Sequence, residues 1–181
     1  MQKDPRPGIE PRTFLLQGNS ATNCATVQPM LKKNCSKQRK ENIMNEDRET
    51  KVCESTQTSK IDFVYQVIVE SFSENYTTDS YSVRILKVFK QGTTDESPQG
   101  KRRTFLTYQH CREALDLKPS KSYLIMGSSS YIYKDDSLYQ YVIGETTWVE
   151  YWPTPEECET EKYSPICKSM NGLEGKKCRQ K

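Results

Sequence analysis

The sequence predicts a mostly β body, a small antiparallel barrel of five strands flanked by short helices and stapled by disulfides. β-branched and aromatic residues gather in five short runs separated by turn residues. Between those runs no helical stretch is long enough for a parallel crossover. Of the seven cysteines in 181 residues, six fall within residues 35–178, an even set of the kind oxidised domains use.

Residues 1–34 carry four prolines and neither strand nor helix periodicity, and they lack the charged start, apolar centre and small-residue cleavage site of a signal peptide. They read as a disordered leader. The stretch PGIEPRTFLLQGNSATNCATVQP also resembles translated interspersed-repeat sequence of the kind carried by mistake into animal gene predictions. Residues 40–52, KENIMNEDRETKV, read as a short surface helix.

The strands follow. In Ile61–Phe72, alternation puts Phe63, Tyr65, Val67 and Val69 on one face. Tyr81–Lys90 aligns Tyr81, Val83 and Ile85 and then changes phase at Leu86 and Val88. Such a slip predicts a bulge that bends the strand around a barrel. Arg103–Tyr108, Tyr123–Met126 and Leu138–Ile143 supply three more strands, with turns at Gly92, Pro98-Gln99-Gly100, Pro119-Ser120 and Gly127-Ser128-Ser129-Ser130. Five such strands predict a closed antiparallel barrel. Trp148–Trp152 reads as a short extended piece stopped by Pro153. Residues 155–170 open on Pro155 and several glutamates, which suit a helix start, and Pro165 is expected to break that helix.

Charge and hydropathy narrow the function. A mean hydropathy of −0.87 leaves no run of the ~20 apolar residues a spanning helix needs. The net charge of +3 is concentrated early: residues 1–60 hold 11 basic and 7 acidic side chains, residues 61–181 hold 16 and 17. The body therefore lacks the basic field of a nucleic-acid surface, and Lys101-Arg102-Arg103 reads as a solvated loop end. The closest cysteines, Cys158 and Cys167, are nine positions apart, which does not suit zinc. The single histidine, His110, adjoins Cys111; in an extended segment the two side chains leave on opposite faces, so no catalytic dyad is expected. With Cys24 in the leader, Cys35, Cys53, Cys111, Cys158, Cys167 and Cys178 read as three disulfides with fifteen possible pairings. Asn75-Tyr76-Thr77 is a glycosylation sequon in an expected hairpin loop; Asn34-Cys35-Ser36 also fits, crowded by its cysteine.

CREAL (111–115), YLIMG (123–127), YVIGETTWVEYWP (141–153) and the C-x8-C after it resemble the C-terminal netrin-like (NTR) domain of the complement family. KENIMNEDRETKVCESTQTSKIDFVYQV (40–67) resembles the approach to that domain. The resemblance spans roughly Cys35–Lys181 and implies an OB-fold-like barrel over 35–178, with a tail at 179–181. It also implies the pairs Cys35–Cys111, Cys53–Cys178 and Cys158–Cys167. On the loop-entropy view the first two are worth about 4–5 kcal/mol each and the third about 2–3.

The function so implied is a secreted, non-catalytic interaction module of a larger complement chain, needing no cofactor. It docks the zymogen factor B, and properdin, during convertase assembly. The terminal carboxylate, here that of Lys181, then completes the coordination of a Mg²⁺ held by the zymogen. The sequence departs from the family between Cys167 and Cys178, where KSMNGLEGKK replaces a longer apolar piece and Gly172 and Gly175 disfavour helix. It also has no Gly-Cys-Gly-Glu-Gln thioester run. Three rival readings are a metalloproteinase inhibitor, which would need an exposed N-terminal cysteine, an OB-type nucleic-acid binder, and an inert fragment of a complement gene.

Overall fold

Alternation in the first strand does what its pattern predicts: Phe63, Tyr65, Val67 and Val69 are all buried. The computed structural model describes Cys35, residues 45–57 and residues 59–178. The expected leader, with Cys24 and Asn34, residues 40–44 of the expected helix, and the tail with Lys181 lie outside the described residues.

The elements are α1 (Asn45–Val52), β1 (Phe63–Glu74), β2 (Thr78–Lys90), β3 (Arg102–Tyr108), α2 (Arg112–Leu115), β4 (Ser122–Gly127), β5 (Ile132–Asp135), β6 (Leu138–Val142), β7 (Trp148–Trp152), α3 (Pro155–Cys158) and α4 (Ser164–Asn171). The strands form one sheet in the order β5-β6-β3-β2-β1-β4-β7. Among the described residues the sheet thus has seven strands rather than five, and no ladder joins its two edges. Two differences have local causes. β5 escaped notice because only Ile132 of its four residues is buried, so it shows no alternation. Trp148–Trp152 is a full strand, paired antiparallel with β4 from Ser122↔Trp152 to Met126↔Trp148. One pair is parallel, β3 with β6, through Thr104↔Gln140, Phe105↔Tyr141 and Leu106↔Val142. Lys101-Arg102-Arg103 is not a loop end either, since β3 begins at Arg102.

The sheet still coils like a barrel. Between β1 and β2 the register passes from Val67↔Ile85 to Gln66↔Lys87, leaving Leu86 unpaired where the sequence changes phase. Further slips leave Phe89 and, on β1, Glu70 without partners. Each slip sharpens the local twist. Because of the Leu86 slip, Val88 returns to the inner face with Val83 and Ile85, while Phe89 packs outside. The coil is visible in the rings: Tyr141 of β6 lies 5.1 Å from Phe63 and 5.9 Å from Tyr65 of β1, three strands away in the sheet. Phe63 also packs so closely on Gly127 that a Cβ there would meet its Cζ at 2.8 Å.

The inner core contains a polar chain. The Tyr141 hydroxyl donates to Asp95 Oδ2 at 2.7 Å, so at 3.0 Å the Tyr65 hydroxyl is the donor to Tyr141. Arg103 closes the chain with Nε and Nη2 bonds of 2.7 and 2.9 Å to the Asp95 carboxylate, which is 1% exposed. Every buried polar group in it therefore has a partner, which offsets its desolvation. Burial pushes the Tyr65 phenol up to about 12, and that of Tyr141 higher still.

A second core lies outside the barrel, where Val52, Ile61 and the α4-end residues Met170 and Leu173 cover Val64, Leu124, Met126 and Trp152. Arg48 of α1, fully buried, donates through Nε to Glu150 Oε2 at 2.8 Å and through Nη2 to Oε1, and its Nη1 reaches Asn45 and Ser169. Trp148 Nε1 adds a bond of 3.1 Å to Glu150. Lys90 Nζ caps the end of α1 with bonds to the carbonyls of Val52 and Ile61, at 3.2 and 2.6 Å.

At the C-terminal end, Thr154 caps α3 by accepting from the Glu157 amide at 3.2 Å. Pro165 starts α4 rather than ending the expected helix, because the first turn needs no proline N–H. α4 stops at Gly172, and Gly175, at φ +72°, turns the chain; the short piece nonetheless buries Met170 and Leu173. Disulfides join Cys35 to Cys111, Cys53 to Cys178 and Cys158 to Cys167, with Cα separations of 5.4, 5.1 and 5.8 Å.

Two outcomes follow for stability. Arg48→Ala leaves the Glu150 carboxylate buried without its cation and should cost about 3–5 kcal/mol in denaturant unfolding with disulfides intact. The double variant Arg48→Met/Glu150→Leu should recover most of that loss. The raised phenols favour the folded state fully below pH ~10, the unfolded tyrosine value, and that contribution is lost as pH climbs towards 12. Melting temperature should therefore fall over that interval, and replacing Tyr65 with Phe should flatten the fall.

Candidate interaction surfaces

Three surfaces combine exposed side chains with a fixed backbone. The first is where the chain leaves the body. Cys178 is bridged to Cys53, the residue just after α1. Lys176 is held by Glu49 at 2.8 Å, and the Lys176 ammonium keeps the Glu49 carboxyl below its usual range.

The second is the hairpin tip between β1 and β2. The Asn75 amide donates to the Thr78 carbonyl at 3.0 Å, and Asn75 is exposed beside Tyr76, which is 97% exposed. Below the tip, Arg112 of α2 clamps the fully buried Asp79 with two bonds of 2.7 Å and lies over the Phe72 ring. The next turn corrects an expectation: Gln109–Cys111 is a 3-10 turn, not an extended segment. It therefore brings a ring nitrogen of His110 and the sulfurs of Cys35 and Cys111 within 4.8 Å of one another. The two sulfurs are bonded to each other, so neither is a thiolate that could act as nucleophile or ligand.

The third surface went unnoticed in the sequence. On the outward face of β1, β2 and β3 a groove of about 700 Å³ is lined by Ile68, Glu70, Ser82, Arg84, Leu86 and Arg102, with Ser120 at its side. Register places Arg84 between Ile68 on β1 and Arg102 on β3. Glu70 accepts from Arg84 Nε at 2.8 Å with one oxygen and from Arg102 Nε with the other. The Arg102 guanidinium, and behind it Arg84, hold the Glu70 carboxyl below its usual range, and Arg102 is raised in turn. The signal in the sequence is faint, because Glu70 and Arg84 occupy ordinary outward positions of alternating strands and only register makes them neighbours.

Comparison with known proteins agrees with this architecture. The profile of the UNC-6/NTR/C345C module matches residues 50–165. Complement C3 of Oncorhynchus mykiss is 43% identical over 111 residues, which is 59% of this chain and 7% of that protein. Cobra venom factor of Naja kaouthia is 36% identical over 117 residues, 65% of this chain and 7% of that protein. Complement C3 of Naja naja is 38% identical over 109 residues, 59% of this chain and 6% of that protein. The matched region thus spans less than a tenth of each relative's length. The module profile falls on the β body described above, and the chain belongs to the UNC-6/NTR/C345C family, with similarity to complement C3 and venom factor.

Proposed function

We propose that this module is an extracellular, non-catalytic docking piece of a complement chain, which engages factor B and properdin as the alternative-pathway convertase assembles. The observation that carries the reading is the likeness to complement C3 over the module, joined to an anchored C-terminal exit. Three disulfides and an exposed sequon at Asn75 support life outside the cell.

In this reading the carboxylate of Lys181 is the working group. Mg²⁺ prefers hard, anionic oxygen ligands in octahedral geometry, and a terminal carboxylate offers one without a protein side chain. Only two residues lie between Lys181 and Cys178, which is bridged to Cys53. The partner supplies the ion and the remaining ligands. Arg179 and the nearby lysines would steer an acidic rim of the partner.

Binding of the secreted chain to immobilised factor B tests this directly. Binding is expected in Mg²⁺, is expected to vanish with chelator, and should fall at least tenfold when the Lys181 carboxylate is amidated. Equal binding in Mg²⁺ and in chelator sinks the carboxylate arrangement. Separately, expression in animal cells should give a product whose mass falls on N-glycosidase treatment, and Asn75→Gln should abolish that change.

A further inference from the structure

We infer that the outward groove of β1–β3 binds an extended acidic peptide segment of a partner protein. Its carboxylates would lie on Arg84 and Arg102, and its apolar side chains on Ile68 and Leu86. The site is distinct from the C-terminal exit and does not rest on the Mg²⁺ reading.

Charge complementarity selects the occupant. Glu70 is the one acidic group in the groove, and it is shared by two guanidiniums. Each arginine spends only its Nε–H on Glu70; among the described residues no hydrogen bond engages the Nη groups of either. A guanidinium presents five N–H donors in a planar fork that matches a carboxylate, so both forks remain available to a ligand. Glu70 sets the two side by side, with Arg84 42% and Arg102 62% exposed. Lys101 and Lys121, next in sequence to Arg102 and Ser120, are exposed and make no ion pair among the described residues. Within the groove two cations thus face a single anion, and two further lysines stand next in sequence to its lining.

The groove also has what a peptide needs beyond charge. Leu86, left unpaired by the register slip, is 40% exposed and lies in the same groove as Ile68. In an extended peptide the side chains at i and i+2 share a face, so an acidic residue can meet the arginines while an apolar residue two positions along covers Leu86. The apolar floor favours a peptide over a sulfated polysaccharide, which has no apolar side chains to place there.

The test uses the whole chain and a fluorescein-labelled peptide repeating Glu-Ser-Val-Ser, which sets Glu and Val on one face, with a Lys-Ser-Val-Ser peptide as control. Anisotropy should show the acidic peptide binding at least tenfold tighter than the basic one, and weakening as salt rises. Arg84→Gln/Arg102→Gln should reduce that binding at least tenfold while the melting temperature and Mg²⁺-dependent factor B binding stay unchanged. Lys101→Gln/Lys121→Gln, on exposed residues, should reduce it severalfold. Glu70→Gln removes the resident competitor and should tighten it. Equal binding of the two peptides, full retention in the double arginine variant, or displacement of the peptide only by a sulfated polysaccharide that binds more tightly would overturn the proposal.

Discussion

Three residues without cross-strand partners, Glu70 in β1 and Leu86 and Phe89 in β2, bend this sheet, and the rest of the molecule depends on that bend. A seven-stranded sheet with regular pairing would spread its inner face too widely for so few apolar residues to cover. The slips coil it until β6 faces β1 and the rings of Phe63, Tyr65, Phe105 and Tyr141 stack into one interior. Two phenol hydroxyls come inward with those rings. The loop after β2 meets them with Asp95, and β3 meets Asp95 with Arg103, so the coil and the polar chain require each other.

The outer core is held differently. α1 and α4 are short, and helices of that length have little stability of their own. Arg48 joins α1 to β7 and to α4 through one guanidinium, and Cys53–Cys178 ties the residue after α1 to the segment that follows α4. A buried ion pair of this kind adds little net stability against an apolar replacement, because desolvation offsets its attraction. Its value here is positional: three directed N–H bonds, two to Glu150 and one to Ser169, fix how α1 sits on the sheet and α4 in a way that apolar contacts would not. The crosslink then acts mainly on the unfolded chain by closing a loop of 125 residues.

The features that bend the barrel also shape its surface. Glu70 and Leu86 are unpaired because of the slips, and both line the outward groove. Alternation with the buried Val69 and Ile85 already turns both outward, and the slips remove the cross-strand partner of each. Fold and surface chemistry are therefore coupled, since the residues at which the ladder slips to coil the sheet are also ones that line the groove.

Much of this was legible in the residues. Strict alternation named the inward side chains of β1, the phase change at Leu86 marked the bulge, and turn residues separated the strands, because each of these is a local property of a few neighbouring positions. β5 was not legible, since a strand with one buried residue leaves no period. Nor was the parallel pairing of β3 with β6, which depends on how far the sheet coils. Spacing alone left fifteen ways to join six sulfurs, and the 3-10 turn that brings His110 to the Cys35–Cys111 bridge is imposed by that bridge and by the Arg112–Asp79 clamp. Local pattern, then, decided which residues form strands and which side of them is wet. Tertiary structure decided which distant residues become neighbours, from Arg48 on Glu150 to Glu70 between two arginines, because register and coil carry that information and no short window of sequence contains it.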